Sequence, residues 1–549
     1  MKILFQASLA ALAVLFASAA PLEDLVEYLP GYGRPPTPQF SGYLDATDGC
    51  DTATNGKSCH LHYWMALAEN DPMNKPVVMW LNGGPGSSSI LGFLTELGPM
   101  MMTAKGGIMK NPYSWTKVAN VFALEAPVGV GYSYCANQQE GRVCKNTDKY
   151  TASASRAGLI DLFTNKFPEL AHNDFFITGE SYAGVYIPTL TKEILDNADG
   201  KVNLKGIAVG DPCTDNTAQA DSMDSLWYGH KYGLVDDQLF DLLWNKCEMR
   251  SPNLMTRGGK HLVAAELNKQ LLARREELLA TSSKNGQELG DADILREMRL
   301  YAEDLWMDLK MTSARNRHNH HSKDMSPECR LAQRKYLIST SAGLSQGWDD
   351  LYIDDYSLFA PVSNKEDEDM AAWMMSPEVR KALHVDEAPT QTWPEADVGF
   401  DYTKEYDACN WGEVPDGAKS MINFYQNIVP KLKKTIVYNG DTDPCVSYEG
   451  TRTAIKRVGF NEVDGGSYRP WFYNQSATCI HVLAEKAPLF GPGLLAQDMG
   501  PQMGGEIVNY EHNLSFLTFH GSGHMVPQVI VLLGDNVLPR LNVSVRCIC

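Results

Sequence analysis

Apolar residues in this 549-residue chain gather into short runs that stop abruptly at glycine-rich polar turns. Four of them are Pro76-Val77-Val78-Met79-Trp80-Leu81, Phe175-Phe176-Ile177, Thr435-Ile436-Val437-Tyr438 and Leu514-Ser515-Phe516-Leu517-Thr518-Phe519. Short, nearly unbroken apolar runs bounded by turn residues predict buried strands. The pattern changes after Val209-Gly210-Asp211-Pro212 and returns near Met370. In between it turns helical: Leu267, Leu271, Leu272, Leu278 and Leu279 fit one helix face. Leu295, Met298, Leu305 and Leu309 fit another, at i, i+3, i+10 and i+14. At the N-terminus, Lys2, an apolar run from Ile3 to Phe16 and Ala17-Ser18-Ala19 predict a signal peptide over residues 1–19. Cleavage after Ala20 would leave Pro21 first, so cleavage after Ala19 is preferred. No other stretch reaches the ~18 apolar residues of a membrane span, so the expectation is a lumenal protein without a membrane anchor.

Each predicted strand empties into a loop that carries chemistry. After Phe175-Phe176-Ile177 comes Gly179-Glu180-Ser181-Tyr182-Ala183-Gly184, a G-x-S-x-G sequence. Such a sequence needs small residues two before and two after the serine, because a tight strand-to-helix turn leaves no room for side chains there. Thr435 to Tyr438 leads into Asn439-Gly440-Asp441-Thr442-Asp443-Pro444, and the last strand into His520-Gly521-Ser522-Gly523-His524-Met525-Val526-Pro527. Nucleophile, acid and histidine thus follow in the order of an α/β-hydrolase. Spacing leaves two acids, Asp441 and Asp443, and two bases, His520 and His524. Pro76 to Leu81 leads into Asn82-Gly83-Gly84-Pro85-Gly86, whose unobstructed backbone N–H groups suit an oxyanion. No lysine follows these glycines as in a phosphate-binding loop, which argues against a nucleotide site.

With these motifs assembled, the chain resembles the serine carboxypeptidase family over most of its predicted mature length. Further stretches carry the likeness: His60-Leu61-His62-Tyr63-Trp64, Trp80 through Pro99, Pro127-Val128-Gly129-Val130-Gly131-Tyr132-Ser133, and Ser376 through Leu383. The resemblance implies an α/β-hydrolase fold, with a mostly parallel central sheet, helices on both faces and an inserted helical cap. It implies one core, residues 20–212 and 366–549, interrupted by a cap over 213–365. The acid it implies is Asp443 and the base His524, serving Ser181 as nucleophile, with the N–H groups of Gly84 and Tyr182 as oxyanion donors. Trp80, Asn82, Glu96 and Glu180 match the family's site for a substrate carboxylate. A glutamate repels that carboxylate unless a proton lies between them, so Glu96 and Glu180 are expected to share one. The implied activity is release of C-terminal residues from peptides at acidic pH through an acyl-enzyme, with no cofactor and no metal. Plant relatives that transfer acyl groups are the alternative, although their elbows commonly carry Asp and Ser where this chain has Glu180 and Ala183. A protective role toward partner hydrolases would be additional to catalysis, and a homodimer is left open.

Composition places the chain rather than defining its chemistry. Twelve cysteines in a chain with a predicted signal peptide fit disulfides. Cys50 with Cys59 and Cys135 with Cys144 are expected local bridges, and Cys213, Cys247 and Cys329 group in the implied cap. Ser87 stands where the family usually has a cysteine, which leaves Cys409 to pair elsewhere or stay unbridged, and leaves Cys445 unassigned. Asn474, Asn513 and Asn542 head glycosylation sequons, Asn513 being the least accessible in expectation because a strand begins there. A net charge of −19 argues against nucleic-acid binding. These features together predict a lysosomal, vacuolar or secreted location. Arg315 through Lys323, with His318, His320 and His321, reads first as a solvated loop and second as an excision site; a metal site lacks acidic or cysteine partners at suitable spacing. The acidic clusters Asp349–Asp355 and Glu366–Asp369 read as solvated surface.

Overall fold

The structure is a computed structural model. It describes residues 20–103, 107–247, 326–340, 364–386, 388–394, 400–409, 417–463, 465–475, 479–484, 493–497 and 499–529. The expected signal peptide, both leucine-rich stripes, the histidine-containing linker, the Asp349–Asp355 cluster and Asn542 lie outside the described residues. The chain divides into two compact units, Met1–Gln219 with Val362–Cys549, and Ala220–Pro361.

In the first unit the apolar runs form one large sheet. Its main strands are β1 (Gln39–Asp45), β2 (Cys59–Ala66), β3 (Val77–Leu81), β4 (Asn120–Leu124), β5 (Phe175–Glu180), β6 (Leu204–Gly210), β7 (Lys434–Gly440), β8 (Arg469–Gln475), β9 (Gly500–Asn509) and β10 (Leu514–Phe519). They lie in the order β1-β2-β4-β3-β5-β6-β7-β10-β9-β8, and the short strand Tyr134–Cys135 pairs with β2 off this path. The central strands, from β4 through β3, β5, β6 and β7 to β10, pair in parallel, and antiparallel strands flank them on both sides.

The nearly continuous hydrophobicity of these runs follows from burial on both faces. Val77, Met79 and Leu81 of β3 point into one core cluster with Leu159 and Ile187. These two residues belong to helices α1 (Asp148–Asp161) and α2 (Ala183–Asn197). The alternate residues Val78 and Trp80 enter a second cluster with Leu94, Met370 and Val379. Period-two alternation thus sends one strand's side chains into two cores, with helices over each.

Cys50–Cys59 and Cys135–Cys144 are bridged as the sequence suggests. Cys213 departs from the grouping with Cys247 and Cys329: it bridges to Cys409 across 196 residues. The residue that lacks its usual partner at Ser87 is therefore paired within the hydrolase unit. Cys409→Ser opens the longest of the described disulfide loops and is expected to cost about 2–5 kcal/mol of stability, read as a lower thermal midpoint against wild type.

The second unit is helical where described. Ser225–Lys231, Asp237–Asp241 and Pro327–Thr340 are helices, and Asp224 and Asp236 cap the first two by accepting backbone N–H groups. Leu226, Val235, Leu243, Trp244, Ala332 and Tyr336 lie in its core, and Cys247–Cys329 ties the segment after Asp237–Asp241 to the Pro327–Thr340 helix.

Candidate active site

The carboxyl ends of β3, β5, β6, β7 and β10 meet at one edge of the sheet, where parallel α/β sheets place their ligands. Strand β5 ends at Glu180 and α2 begins at Ala183, so Ser181 and Tyr182 form the turn between them. Ser181 has φ 61°, a left-handed conformation rarely adopted by a residue with a side chain. Backbone bonds hold it there: its N–H donates to Gly210 O at 3.0 Å, and its carbonyl accepts from Gly184 N at 2.8 Å and Cys213 N at 3.0 Å. The flanking glycines are required by contact. A Cβ on Gly179 would lie 2.2 Å from Leu81 O, and one on Gly184 would lie 2.4 Å from Cys213 O.

The loop after β3 rides directly on this turn. A Cβ on Gly83 would sit 2.2 Å from Tyr182 N and 2.8 Å from Ser181 Cβ. Gly84, with φ 110°, is exposed beside it, and Ser181 is half-buried, so both can be reached from solvent. The Tyr182 phenol is anchored away from the turn, donating to Asp148 Oδ1 at 2.8 Å.

Both candidate acids find a histidine. His520 Nδ1 lies 2.7 Å from Asp441 Oδ2, with the His520 side chain 63% exposed. His524 Nδ1 lies 2.9 Å from Asp443 Oδ2, with both side chains buried. Asp443 also accepts the N–H groups of Cys445 at 2.7 Å and Val446 at 3.0 Å, which fixes its carboxylate. The two loops lock together, because Thr442 N and Oγ1 both donate to Ser522 O, at 3.0 and 2.7 Å. The Cys445 thiol sits by the buried pair: one polar atom each of Asp443, Cys445 and His524 lie within 4.8 Å of one another.

A second polar cluster lies between β3 and β5. Trp80 Nε1 donates to Asn82 Oδ1 at 2.9 Å, and Asn82 Nδ2 donates to Glu180 Oε1 at 2.8 Å. Gly92 lets these groups converge with Glu96, since a Cβ there would stand 2.3 Å from Trp80 Nε1 and 2.9 Å from both Asn82 Oδ1 and Glu96 Oε1. Glu96 is buried, its oxygens make no hydrogen bond of good geometry among the described residues, and the amide of Asn82 faces it. Burial pushes the Glu96 carboxyl up to about 8, against a smaller lowering by Asn82. Of the sequons, Asn474 is exposed on β8 and Asn513 is exposed in the turn before β10, more open than its place at a strand start suggests.

Sheet order and strand-end loops define an α/β-hydrolase. More narrowly, the chain belongs to the serine carboxypeptidase family, whose model matches residues 30–530. It is a serine-type carboxypeptidase hydrolase. It is 29% identical over 544 residues to serine carboxypeptidase-like 20 of Arabidopsis thaliana, covering 96% of this chain and 94% of that protein. It is also 29% identical over 518 residues to the lysosomal protective protein of Mus musculus, covering 93% and 91%. The fold matches the crystal structure of the prohormone-processing carboxypeptidase Kex1 of Saccharomyces cerevisiae, with TM-score 0.60 at 20% identity over 94% of each chain. Sequence reading singled out neither Asp148 nor Asp211 at this site. For Asp211 a signal was present, since it too follows an apolar run, Ile207-Ala208-Val209-Gly210, at a strand end.

Proposed function

We propose that the protein removes C-terminal amino acids from peptides through an acyl-enzyme formed on Ser181. In this reading His524 takes the Ser181 proton, Asp443 holds the imidazole by its Nδ1–H, and the tetrahedral oxyanion is received by the N–H groups of Gly84 and Tyr182. Trp80, Asn82, Glu96 and Glu180 grip the free carboxylate of the substrate. The observation that carries the exopeptidase reading is the buried Trp80–Asn82–Glu180 chain with Glu96 against it. A proton held in that cluster turns a carboxyl into a donor toward an incoming carboxylate, which a general esterase does not need. Since Glu96 is pushed up to about 8, the proton is retained through acidic and neutral pH. An acidic compartment, as the name of the lysosomal relative suggests, keeps the grip charged with that proton.

The test is release of the C-terminal residue from N-blocked dipeptides between about pH 4 and 7, wild type beside Ser181→Ala. Serine-dependent release is expected, with loss on the order of 10⁶-fold in turnover for the variant. Covalent labelling by a fluorophosphonate without any release would point to acyl transfer instead, the alternative that serine carboxypeptidase-like relatives keep open.

A further inference from the structure

Asp211 is a buried acid behind the histidine-bearing pair, and the reaction as described makes no use of it. It follows the last residue of β6 with φ 42°, and its N–H donates to Tyr438 O at 2.7 Å. Its side chain is completely buried. Oδ1 accepts from Gly440 N at 2.9 Å and from Asn439 Nδ2 at 3.2 Å. Asn439 Nδ2 also donates to Val446 O at 2.7 Å, and Val446 N in turn donates to Asp443 Oδ2 at 3.0 Å. The two carboxyl groups thus both accept from one segment, Asn439 to Val446.

The remaining oxygen decides the protonation. Asp211 Oδ2 is buried and receives no N–H or O–H donor among the described residues. The Asp443 carboxyl is the neighbour placed to share a hydrogen bond with the Asp211 side chain, and with Oδ1 taken by two N–H donors, Oδ2 is the oxygen left for it. Two carboxylates have no hydrogen between them, so this contact exists only if one is an acid. Asp443 already accepts two backbone N–H groups and the imidazole N–H, which favour its charged form. Oδ2 of Asp211 has no such support. The other ionisable groups facing Asp211 are Glu180 and Tyr438, with His524 beyond Asp443. A second negative charge on Asp211 would meet Asp443 and Glu180, against only the smaller compensation of the Gly440 N–H. Burial first, and the Asp443 charge second, hold the Asp211 carboxyl well above the usual range.

We infer that Asp211 is a positioning residue that stays protonated and donates its Oδ2–H to the Asp443 carboxylate, holding that carboxylate against His524. The inference rests on the reading of Ser181, His524 and Asp443 as the catalytic set. No bond other than the hydrogen bond is made or broken, and the proton stays on Asp211 throughout turnover.

Asp211→Asn replaces the O–H donor by an N–H donor of the same shape, and Asp211→Leu keeps the bulk without a donor. Turnover is measured on an N-blocked amino-acid p-nitrophenyl ester, which has no free carboxylate and so bypasses the Glu96 and Glu180 grip. Asp211→Asn is expected to keep kcat within about threefold at pH 5–7 and to hold it to higher pH than wild type. Asp211→Leu is expected to lower kcat about 10–100-fold with KM little changed, the range of a lost charge-assisted hydrogen bond. Equal losses in both variants, or wild-type kcat in both, would overturn the inference. Should Asp211→Leu fail to fold, the infrared difference spectrum of wild type minus Asp211→Asn at neutral pH decides alone. A protonated-carboxyl C=O band in the wild type supports the proposal and its absence refutes it. That band does not depend on activity, so an inactive Ser181 reading with the band present would fail separately from the Asp211 proton.

Discussion

Asp443→Asn is expected to lower kcat for peptide substrates about 10⁴-fold while Asp441→Asn stays within about threefold of wild type. The two pairs look alike on paper, each an aspartate with a histidine partner, and their geometry separates them. His524 and Asp443 are both buried, and the Asp443 carboxylate is pinned by two backbone N–H groups. A carboxylate so placed accepts the Nδ1–H of His524 and, in the proposed mechanism, leaves Nε2 unprotonated to serve Ser181. An asparagine there would offer an N–H of its own and favour the wrong tautomer. His520 and Asp441 form a surface pair, at 2.7 Å but with His520 63% exposed, and exposed ion pairs contribute little. Steady-state kinetics on both variants, with fluorophosphonate labelling to count intact Ser181, checks the result. Comparable losses in the two variants would mean that the exposed pair also serves the reaction.

That comparison also marks how far the sequence could be read. The strand-end loops and the G-x-S-x-G turn were legible because hydrophobic runs and compulsory glycines are local signals. The contacts of Gly179 and Gly184 with neighbouring backbone give the reason for the small residues. The difference between His520 and His524 was not local, since it lies in tertiary burial, with His524 and Asp443 buried and His520 exposed. Only the family resemblance favoured His524. The local bridges were legible, but the grouping of Cys213 failed in the same way: it stands near the cap cysteines in sequence, yet the end of β6 brings it to Cys409. The motif His60 to Trp64 carries the resemblance, but its buried histidine is a core element. His62 Nδ1 lies 2.8 Å from Glu125 and its Nε2 lies 2.9 Å from Ser41 Oγ, so both ring nitrogens are satisfied within the fold. Asp211 shows the reverse, a residue with a legible strand-end position whose significance depends on a carboxyl 232 positions away in the chain.

Peptide hydrolysis is expected to persist through neutral pH and then to fall about tenfold per pH unit above about 8, while hydrolysis of the matched ester does not follow it through that limb. The sign comes from burial. Glu96 is pushed up, so it is protonated below about 8 and charged above it, and the carboxyl cluster then carries one more negative charge. A substrate carboxylate entering beside Asn82 would meet that charge without a proton to share, and KM should rise while kcat holds. An ester without a free carboxylate has nothing to lose there. Converting both acids to amides, Glu96→Gln with Glu180→Gln, leaves donors that do not ionise, so the limb near 8 should vanish for the peptide whatever the absolute rate. Parallel pH–kcat/KM profiles for peptide and ester, in wild type and in the double variant, make the check. If the two substrates fall together in wild type, the limb belongs to the Ser181–His524–Asp443 machinery and the carboxylate grip does not hold the titrating proton.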